Sequence, residues 1–337
     1  MRAVVVTTYG GPDVLQLRDL PEPQAGPGQV VIRVAYAGVN YAEIMGRRGD
    51  YHATSLPFTP GLEVAGVISA IGEGVAGLRV GQPVAAFTGA GGYAELAVAS
   101  AALTFPLDTI ALPVDLAQAA AYPTIVPTAY ALLAEVARIR SGESVLIHAA
   151  AGGVGTVAAQ MARHLGAGLV LGTVSTNGKV AYARAFGYDQ VLAREGFVEA
   201  VRALTGNHGV DVVLESIGGQ VFTQSLEVLA PLGRLVIFGN ATASPDQPVS
   251  PLQLQRTNKA VLGFSIGSLR TQAPQQLKAI AQQALALVAE AGIRIDITEV
   301  FPLSKAAEAH QRIESRSTTG KLLLQVQEPQ AGSIASE

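Results

Sequence analysis

Residues 143–166 read ESVLIHAAAGGVGTVAAQMARHLG, and the rest of the chain becomes legible outward from them. The apolar run Val145–Ile147 follows the turn-forming pair Ser141-Gly142 and leads into a loop of small residues, Ala149-Ala150-Ala151-Gly152-Gly153-Val154-Gly155. Apolar positions then recur at helical spacing through Val157, Met161 and Leu165, and Gly166 is placed to end the helix. Strand, glycine loop and helix in that order form the phosphate-binding opening of a dinucleotide fold. Small residues admit a pyrophosphate to the backbone, and the helix N-terminus offers unpaired N–H groups and partial positive charge. The pattern is A-x-G-x-x-G, because Ala150 occupies the first glycine position, so context must support it. That context is a second strand at Leu169–Val174, a helix-like segment at Lys179–Phe186, and strands at Val210–Leu214 and Arg234–Phe238. The alternative is an ordinary tight strand–helix turn of another α/β protein.

Length and composition bound the remainder. At 337 residues the chain has room for about two domains of ~150 residues. With 49% hydrophobic and 15% charged residues it can bury a large core. A net charge of −3 gives no general reason to bind nucleic acid or an anionic membrane. The opening MRAVVVTTYG enters a strand-like run without a cleavable signal pattern, and Asp115, Pro123, Pro127 and Glu135 interrupt the longest apolar region. The expectation is a soluble, cytoplasmic protein. Cysteine is absent, which excludes disulfides, a thiolate nucleophile and thiolate-held zinc or iron–sulfur clusters. The histidines at 52, 148, 164, 208 and 310 show no metal-ligand spacing.

In chain order, residues 1 to about 122 read as all-β, with strands at Val4–Val6, Val30–Ala35, Glu63–Ile71, Pro83–Phe87 and Tyr93–Val98 punctuated by Gly/Pro turns. Such spacing suggests a partly open barrel. Helical periodicity runs from about Leu116 to Arg138. After Gly263 come a long amphipathic helix at Gln275–Ala291, a strand near Thr298–Val300, a helix at Ser304–Ile313 and a last strand at Lys321–Val326. The predicted architecture is α/β. Residues 126–262 form the nucleotide-binding domain, 1–125 and 263–327 form the other, and 328–337 read as a disordered tail.

Several motifs together carry a family resemblance: Tyr9-Gly10-Gly11-Pro12, Ala37-Gly38-Val39-Asn40, Pro60 to Gly66, Ala149 to Gly155, Phe238-Gly239-Asn240 and Thr319-Gly320-Lys321. The chain resembles the medium-chain dehydrogenase/reductase superfamily, and within it the zinc-free quinone oxidoreductase and enoyl reductase branch. The resemblance implies a GroES-like catalytic domain built from both chain ends, a Rossmann domain between them and a homodimer. Zinc alcohol dehydrogenases of that superfamily carry Cys where this chain has Asn40, and His where it has Leu62. Leucine has no lone pair and an amide is a poor zinc ligand, so no metal is expected.

The expected cofactor is NADPH. An NAD-preferring site places an acid about 20 residues beyond the glycine loop. Here no acidic residue lies between Gly155 and Asp189, and Thr173 to Lys179 reads TVSTNGK. Hydroxyls and an ammonium suit a 2′-phosphate, which makes Ser175 and Lys179 its candidates; Ser175 could instead cap a helix and Lys179 simply be solvated. Arg194 is a candidate for stacking or for phosphate, with a plain surface role as the alternative. The loop residues Ala151, Gly152, Gly153, Val154 and Gly155 would hold the pyrophosphate. By resemblance, Phe238, Gly239 and Asn240 approach the nicotinamide half, Phe264, Ser265 and Ile266 lie beside its carboxamide, and Arg316 lies near the cofactor. Thr128 and Tyr130 face the same site in relatives, though Tyr130 suits a core role equally.

Without a metal, hydrogen-bond donors must stabilise the charge that develops on the substrate oxygen. Asn40 and Tyr51 are the catalytic candidates. Asn40 could instead stabilise the turn after Gly38, and Tyr51 could be a hydrophobic lid. Glu43 is read as orienting its neighbours. Conjugated carbonyls delocalise charge and need less electrophilic help, so a quinone or an α,β-unsaturated carbonyl is the expected substrate. The rivals are an enoyl-thioester reductase acting in trans and an idle NADPH-binding structural or RNA-binding protein.

Overall fold

The structure is a computed structural model that describes residues 1–50, 55–109, 115–245 and 248–327. The tail at 328–337 and the catalytic candidate Tyr51 lie outside the described residues. The chain divides into two compact units. The first comprises Met1–Thr124, Leu269–Ala289 and the chain from Ile295 onward; the second comprises Ile125–Ser268 and Glu290–Arg294.

Up to Thr124 the elements are β1 (Arg2–Val6), β2 (Leu15–Asp19), β3 (Gln29–Val39), α1 (Tyr41–Arg48), β4 (Glu63–Ile71), β5 (Pro83–Phe87), β6 (Leu96–Ser100), β7 (Thr104–Pro106) and α2 (Leu116–Ala120). Helix α3 (Tyr122–Tyr130) follows, and then β8 (Ser144–Ile147), α4 (Gly153–His164), β9 (Leu169–Val174), α5 (Val180–Arg184), β10 (Gln190–Ala193) and α6 (Phe197–Leu204). Next come β11 (Val210–Glu215), α7 (Gln220–Glu227), β12 (Leu229–Ile237), α8 (Pro251–Thr257) and β13 (Ala260–Gly263). The chain finishes with α9 (Ile266–Gln272), α10 (Pro274–Ala291), β14 (Ile297–Pro302), α11 (Ala306–Glu314) and β15 (Lys321–Gln325).

In the second unit, among the described residues, a six-stranded sheet runs in the order β10-β9-β8-β11-β12-β13, and each pairing is parallel. This is the doubly wound order, whose direction reverses between β8 and β11. Parallel strands buried on both faces need nearly continuous apolar sequence, and Val145, Leu146, Ile147, Val212, Val213 and Leu214 supply it with no exposed surface. Strand β10 was not expected from the sequence. It is four residues long, QVLA, and only Val191 is buried, so neither its length nor its pattern separates it from a loop.

The first unit is a largely antiparallel sheet in the order β14-β15-β3-β4-β5-β7, with β6 also paired to β3. Its core is aliphatic, built on Val30, Ile32, Val34, Val64, Ile68, Leu322 and Leu324. Strand β15 returns from the far end of the chain to lie against β3, with Leu322 opposite Val39. The all-β reading of the first 122 residues is corrected by α1. Its start is marked by Asn40 and Glu43, whose carboxylate accepts the Asn40 N–H at 2.8 Å. Its end is marked by Arg47, Arg48 and the left-handed Gly49 (φ 85°).

Candidate functional site

In the first unit a buried polar network is assembled where β4 begins and where β3 and β15 meet. The β15–β3 register brings Lys321 beside Asn40, the residue after Val39. The Lys321 Nζ donates to Glu63 Oε1 and to Asn40 Oδ1, both at 2.5 Å. The Glu63 side chain is 0% exposed and that of Lys321 3%, so this is a dry ion pair. Glu63 also accepts the Asn40 amide at 2.9 Å and the Thr124 N–H at 2.7 Å. Asn40 is thereby held with its carbonyl toward the ammonium and its NH₂ toward carboxylates; its second amide hydrogen has only a 3.4 Å contact, to Glu43.

Glu43 accepts the Leu62 N–H at 3.0 Å and is buried. Burial pushes its pKa up to about 7, with the Glu63 charge acting in the same direction and Lys321 and the backbone N–H groups opposing. Two carboxylates share one ammonium here, and the cluster approaches neutrality by keeping a proton on Glu43. Close by in the same unit the Tyr93 hydroxyl lies 3.2 Å from His310 Nε2. Burial, followed by the Arg47 charge, pulls the His310 pKa down to about 3, so its ring is neutral.

In the second unit β8 turns into α4 through Ala149, a non-glycine residue at φ 53°. Gly152 caps α4 without a side chain, and the first helical bond is donated by Thr156 to Gly152 at 2.9 Å. The N–H groups of Gly153, Val154 and Gly155 therefore have no acceptor inside the helix. A Cβ on Gly155 would stand 2.5 Å from the Ala149 carbonyl oxygen and 2.9 Å from Ala150 Cα, which is the close helix–strand approach that this fingerprint requires. The methyl of Ala150, at the position where a glycine is usual, is accommodated against Gly172 of β9, where a Cβ would come within 2.7 Å of it.

Behind the loop, His148 is buried between Thr173 Oγ1 (2.7 Å from Nδ1) and Ser225 Oγ (2.9 Å from Nε2). Ser225 donates to the Val221 carbonyl at 2.6 Å, so it accepts from Nε2–H, and Thr173 donates to Nδ1. Burial, with Arg194 adding to it, pulls His148 down to about 3. The imidazole is a neutral spacer that locks the ends of β8 and β9 to α7.

The other nucleotide candidates follow the strand ends. Ser175 is half-buried directly after β9, and Arg194 directly after β10 donates its N–H to Val174 at 2.9 Å. Burial lowers the Lys179 pKa and the Arg194 charge lowers it further, so the two cations face one another's field. Phe238 leaves β12 with its N–H on Glu215, and Phe264 leaves β13 with its N–H on Ile237, both at 2.9 Å. Because the strands are parallel, all of these positions lie at one edge of the sheet. Ala151 is buried there, and Gly152, Gly153, Val154, Gly239 and Ile266 are half-buried. Asn240 spends its amide on its own turn, donating to Ser244 at 2.7 Å and accepting from Thr242 at 3.2 Å. Ser265 is exposed and accepts the Ser268 N–H. The Thr128 hydroxyl is buried with no partner among the described residues. Arg316 belongs to the first unit, where it is exposed at φ 57° after α11.

Sequence reasoning did not anticipate the role of Lys321 or of Glu215. The signal for Lys321 was a lysine opening an otherwise apolar strand, KLLLQ. Glu215 is raised by burial, and its carboxylate, at the end of β11, accepts the N–H groups of Ile217 (2.6 Å) and Gly218 (3.0 Å). Among the described residues no group of three or more His, Asp or Glu is placed to hold a metal ion.

Comparison with known proteins gives a consistent picture. Residues 26–109 match the family model of the alcohol dehydrogenase GroES-like domain, and residues 153–285 match that of the zinc-binding dehydrogenases. A quinone oxidoreductase of Pseudomonas aeruginosa is 37% identical over 331 residues, covering 96% of this chain and 99% of its own. The solved mycobacterial protein Rv1454c, complexed with NADPH, is 34% identical with a TM-score of 0.89, covering 97% of this chain and 100% of its own. Escherichia coli quinone oxidoreductase complexed with NADPH is 30% identical with a TM-score of 0.87, again covering 97% and 100%.

Proposed function

The chain belongs to the quinone oxidoreductase branch of the medium-chain dehydrogenase/reductase superfamily and is an NADPH-dependent oxidoreductase, and from that premise we propose that its hydride acceptor is a quinone or an α,β-unsaturated carbonyl, reduced without zinc. The observation that carries this reading is the network about Asn40. A buried ammonium occupies hydrogen-bond range of both Asn40 and Glu63, and Leu62 offers no lone pair, so the donor set does not fit a zinc ion.

The second unit fits NADPH on its own terms. An uncapped helix start leaves N–H groups for a pyrophosphate. Lys179 and Arg194, two cations in each other's field, together with the hydroxyl of Ser175, suit a 2′-phosphate. The Thr128 hydroxyl, buried and without a partner among the described residues, is a further donor for the cofactor. When bound, NADPH supplies the hydride. The protein's own task is to meet the charge that develops on the acceptor oxygen. The loosely held second amide hydrogen of Asn40 suits this, because Lys321 and Glu63 fix the amide in one orientation before the substrate arrives. Tyr51 is the second donor in this reading.

The same reading includes a cytoplasmic homodimer. No helix among the described residues is long and apolar enough to cross a membrane. Strand β13 ends its sheet, and the helix before it, α8, buries no residue and leaves Leu252 51% exposed. The test of function is steady-state NADPH oxidation with a panel of quinones and enones. Turnover with at least one conjugated carbonyl is expected; none above background with any acceptor rejects the assignment, and tight NADPH binding without turnover would indicate an idle binding protein.

A further inference from the structure

We propose that Arg270 is an oxyanion receptor built into the first unit, placed to take a carboxylate, sulfonate or phosphate group of a ligand. Arg270 projects from α9 onto the end of β5. Its guanidinium carbon lies 5.6 Å from the centre of the Phe87 ring, and Nη1 donates to the Thr88 carbonyl at 3.0 Å. Room for it is made by Gly89 (φ 76°), where a Cβ would stand 0.9 Å from Nη1. The side chain is therefore seated by stacking, by one hydrogen bond and by a missing side chain opposite.

What the seat lacks is a counter-charge. Among the described residues the buried Nε has no hydrogen-bond partner, and the guanidinium has no bond besides the one to Thr88. No carboxylate among them pairs with it, and burial alone draws its pKa below the ordinary arginine value. A guanidinium carries five N–H donors in a planar fork, and leaving the buried Nε–H unpaired is costly unless a ligand completes it. The fork matches two oxygens of one oxyanion better than a single carbonyl.

The location ties this receptor to the network described above. Phe87 is directly opposite Glu63 in the β4–β5 ladder, and the Thr88 and Gly89 N–H groups both donate to the Leu62 carbonyl, at 2.8 and 3.1 Å. An oxyanion held by Arg270 therefore lies on the same strand end as the group of Asn40, Glu43 and Glu63. The anion can come from an acidic substituent on the hydride acceptor or from a cofactor phosphate. Only the identity of the acceptor rests on the reductase reading.

The experiment is isothermal titration of the full chain with 1-naphthalenesulfonate and, separately, with NADPH, for the wild type, Arg270→Gln, Arg270→Lys and Gly89→Ala. Loss of sulfonate affinity by about tenfold or more in Arg270→Gln, with a partial loss in Arg270→Lys, assigns the anion to the acceptor side. A loss of that size for NADPH instead assigns it to a cofactor phosphate. Gly89→Ala displaces the guanidinium without removing it and is expected to lose the same ligand, which keeps the test decisive if Arg270→Gln folds poorly. Affinities for both ligands within about twofold of wild type in Arg270→Gln and Gly89→Ala would overturn the proposal, as would a wild type that binds no sulfonate together with unchanged NADPH affinity. Turnover of 1,2-naphthoquinone against its 4-sulfonate is measured alongside. Failure to reduce either quinone would count against the reductase reading while leaving the binding result to stand.

Discussion

Replacing Lys321 by Met removes one charge from the Asn40–Glu63–Lys321 network while keeping the length of the side chain. The Glu63 carboxylate, 0% exposed, then retains the Asn40 amide and Thr124 N–H but loses its cation at 2.5 Å. Breaking one partner of a buried pair costs about 3–5 kcal/mol, because the remaining charge stays desolvated. At about 2–4 °C per kcal/mol for a body of this size, the thermal midpoint should fall by roughly 10 °C. The double variant Lys321→Met/Glu63→Gln leaves a neutral amide in place of the stranded charge and should recover at least about 2 kcal/mol of the loss. Equilibrium urea unfolding of the wild type, both single variants and the double variant, followed by far-UV circular dichroism at neutral pH, closes the cycle. A cost below about 1 kcal/mol for Lys321→Met, the value of a solvated surface pair, would refute the picture of a dry network, as would a double variant weaker than both singles.

Lys179→Ala should raise KM for NADPH by about 10- to 100-fold, the loss of a charge-assisted contact, and change NADH by only about twofold; equal effects on the two coenzymes would remove Lys179 from the 2′-phosphate site. Gly155→Ala places a Cβ 2.5 Å from the Ala149 carbonyl, a backbone atom that cannot swing aside. It should cost about 1–3 kcal/mol and weaken both coenzymes alike, because the pyrophosphate is common to them; an unchanged thermal midpoint would show that α4 can shift away. Glu43 keeps its proton up to about pH 7 in the folded chain but loses it near its ordinary value of 4.5 once unfolded. The native state therefore binds more protons across that window, and its contribution is full below the unfolded value and lost as pH rises through the folded one, by about 3 kcal/mol in all. Glu43→Gln should flatten the fall in unfolding free energy between about pH 5 and pH 8, and an unaltered slope would place the proton on another group.

The parts of the protein that could be read from the sequence are those whose physics is contiguous. Residues 143–166 carry a strand, a loop of small residues and a helix in an uninterrupted stretch, and the structure follows that stretch nearly residue by residue. The missing acid beyond the loop was legible for the same reason, since charge is a property of composition and needs no partner. Short elements were harder. Strand β10, with four residues and only one of them buried, has almost no period to detect. Helix α1 carries end signals at Asn40, Glu43 and Gly49, but its eight residues stand among strands and Gly/Pro turns that hide a helical period.

The Asn40–Glu63–Lys321 network shows where reading along the chain stops. Its hydrogen bonds span 23, 258 and 281 positions, so no window of sequence contains them. Arg270 is a similar case, because its seat is made by Phe87, Thr88 and Gly89, and Thr88, whose carbonyl it reaches, lies 182 positions away in sequence. The sequence by itself determined the doubly wound unit and the strand, small-residue loop and helix that open it, since periodicity and small residues act over a few neighbouring positions. Only the tertiary structure decided which polar side chains share a dry interior, which carboxyl keeps its proton and which guanidinium meets no counter-charge among the described residues. Desolvation and pairing depend on what the fold brings within a few ångströms, and that is fixed by strand register and by the return of β15 to β3.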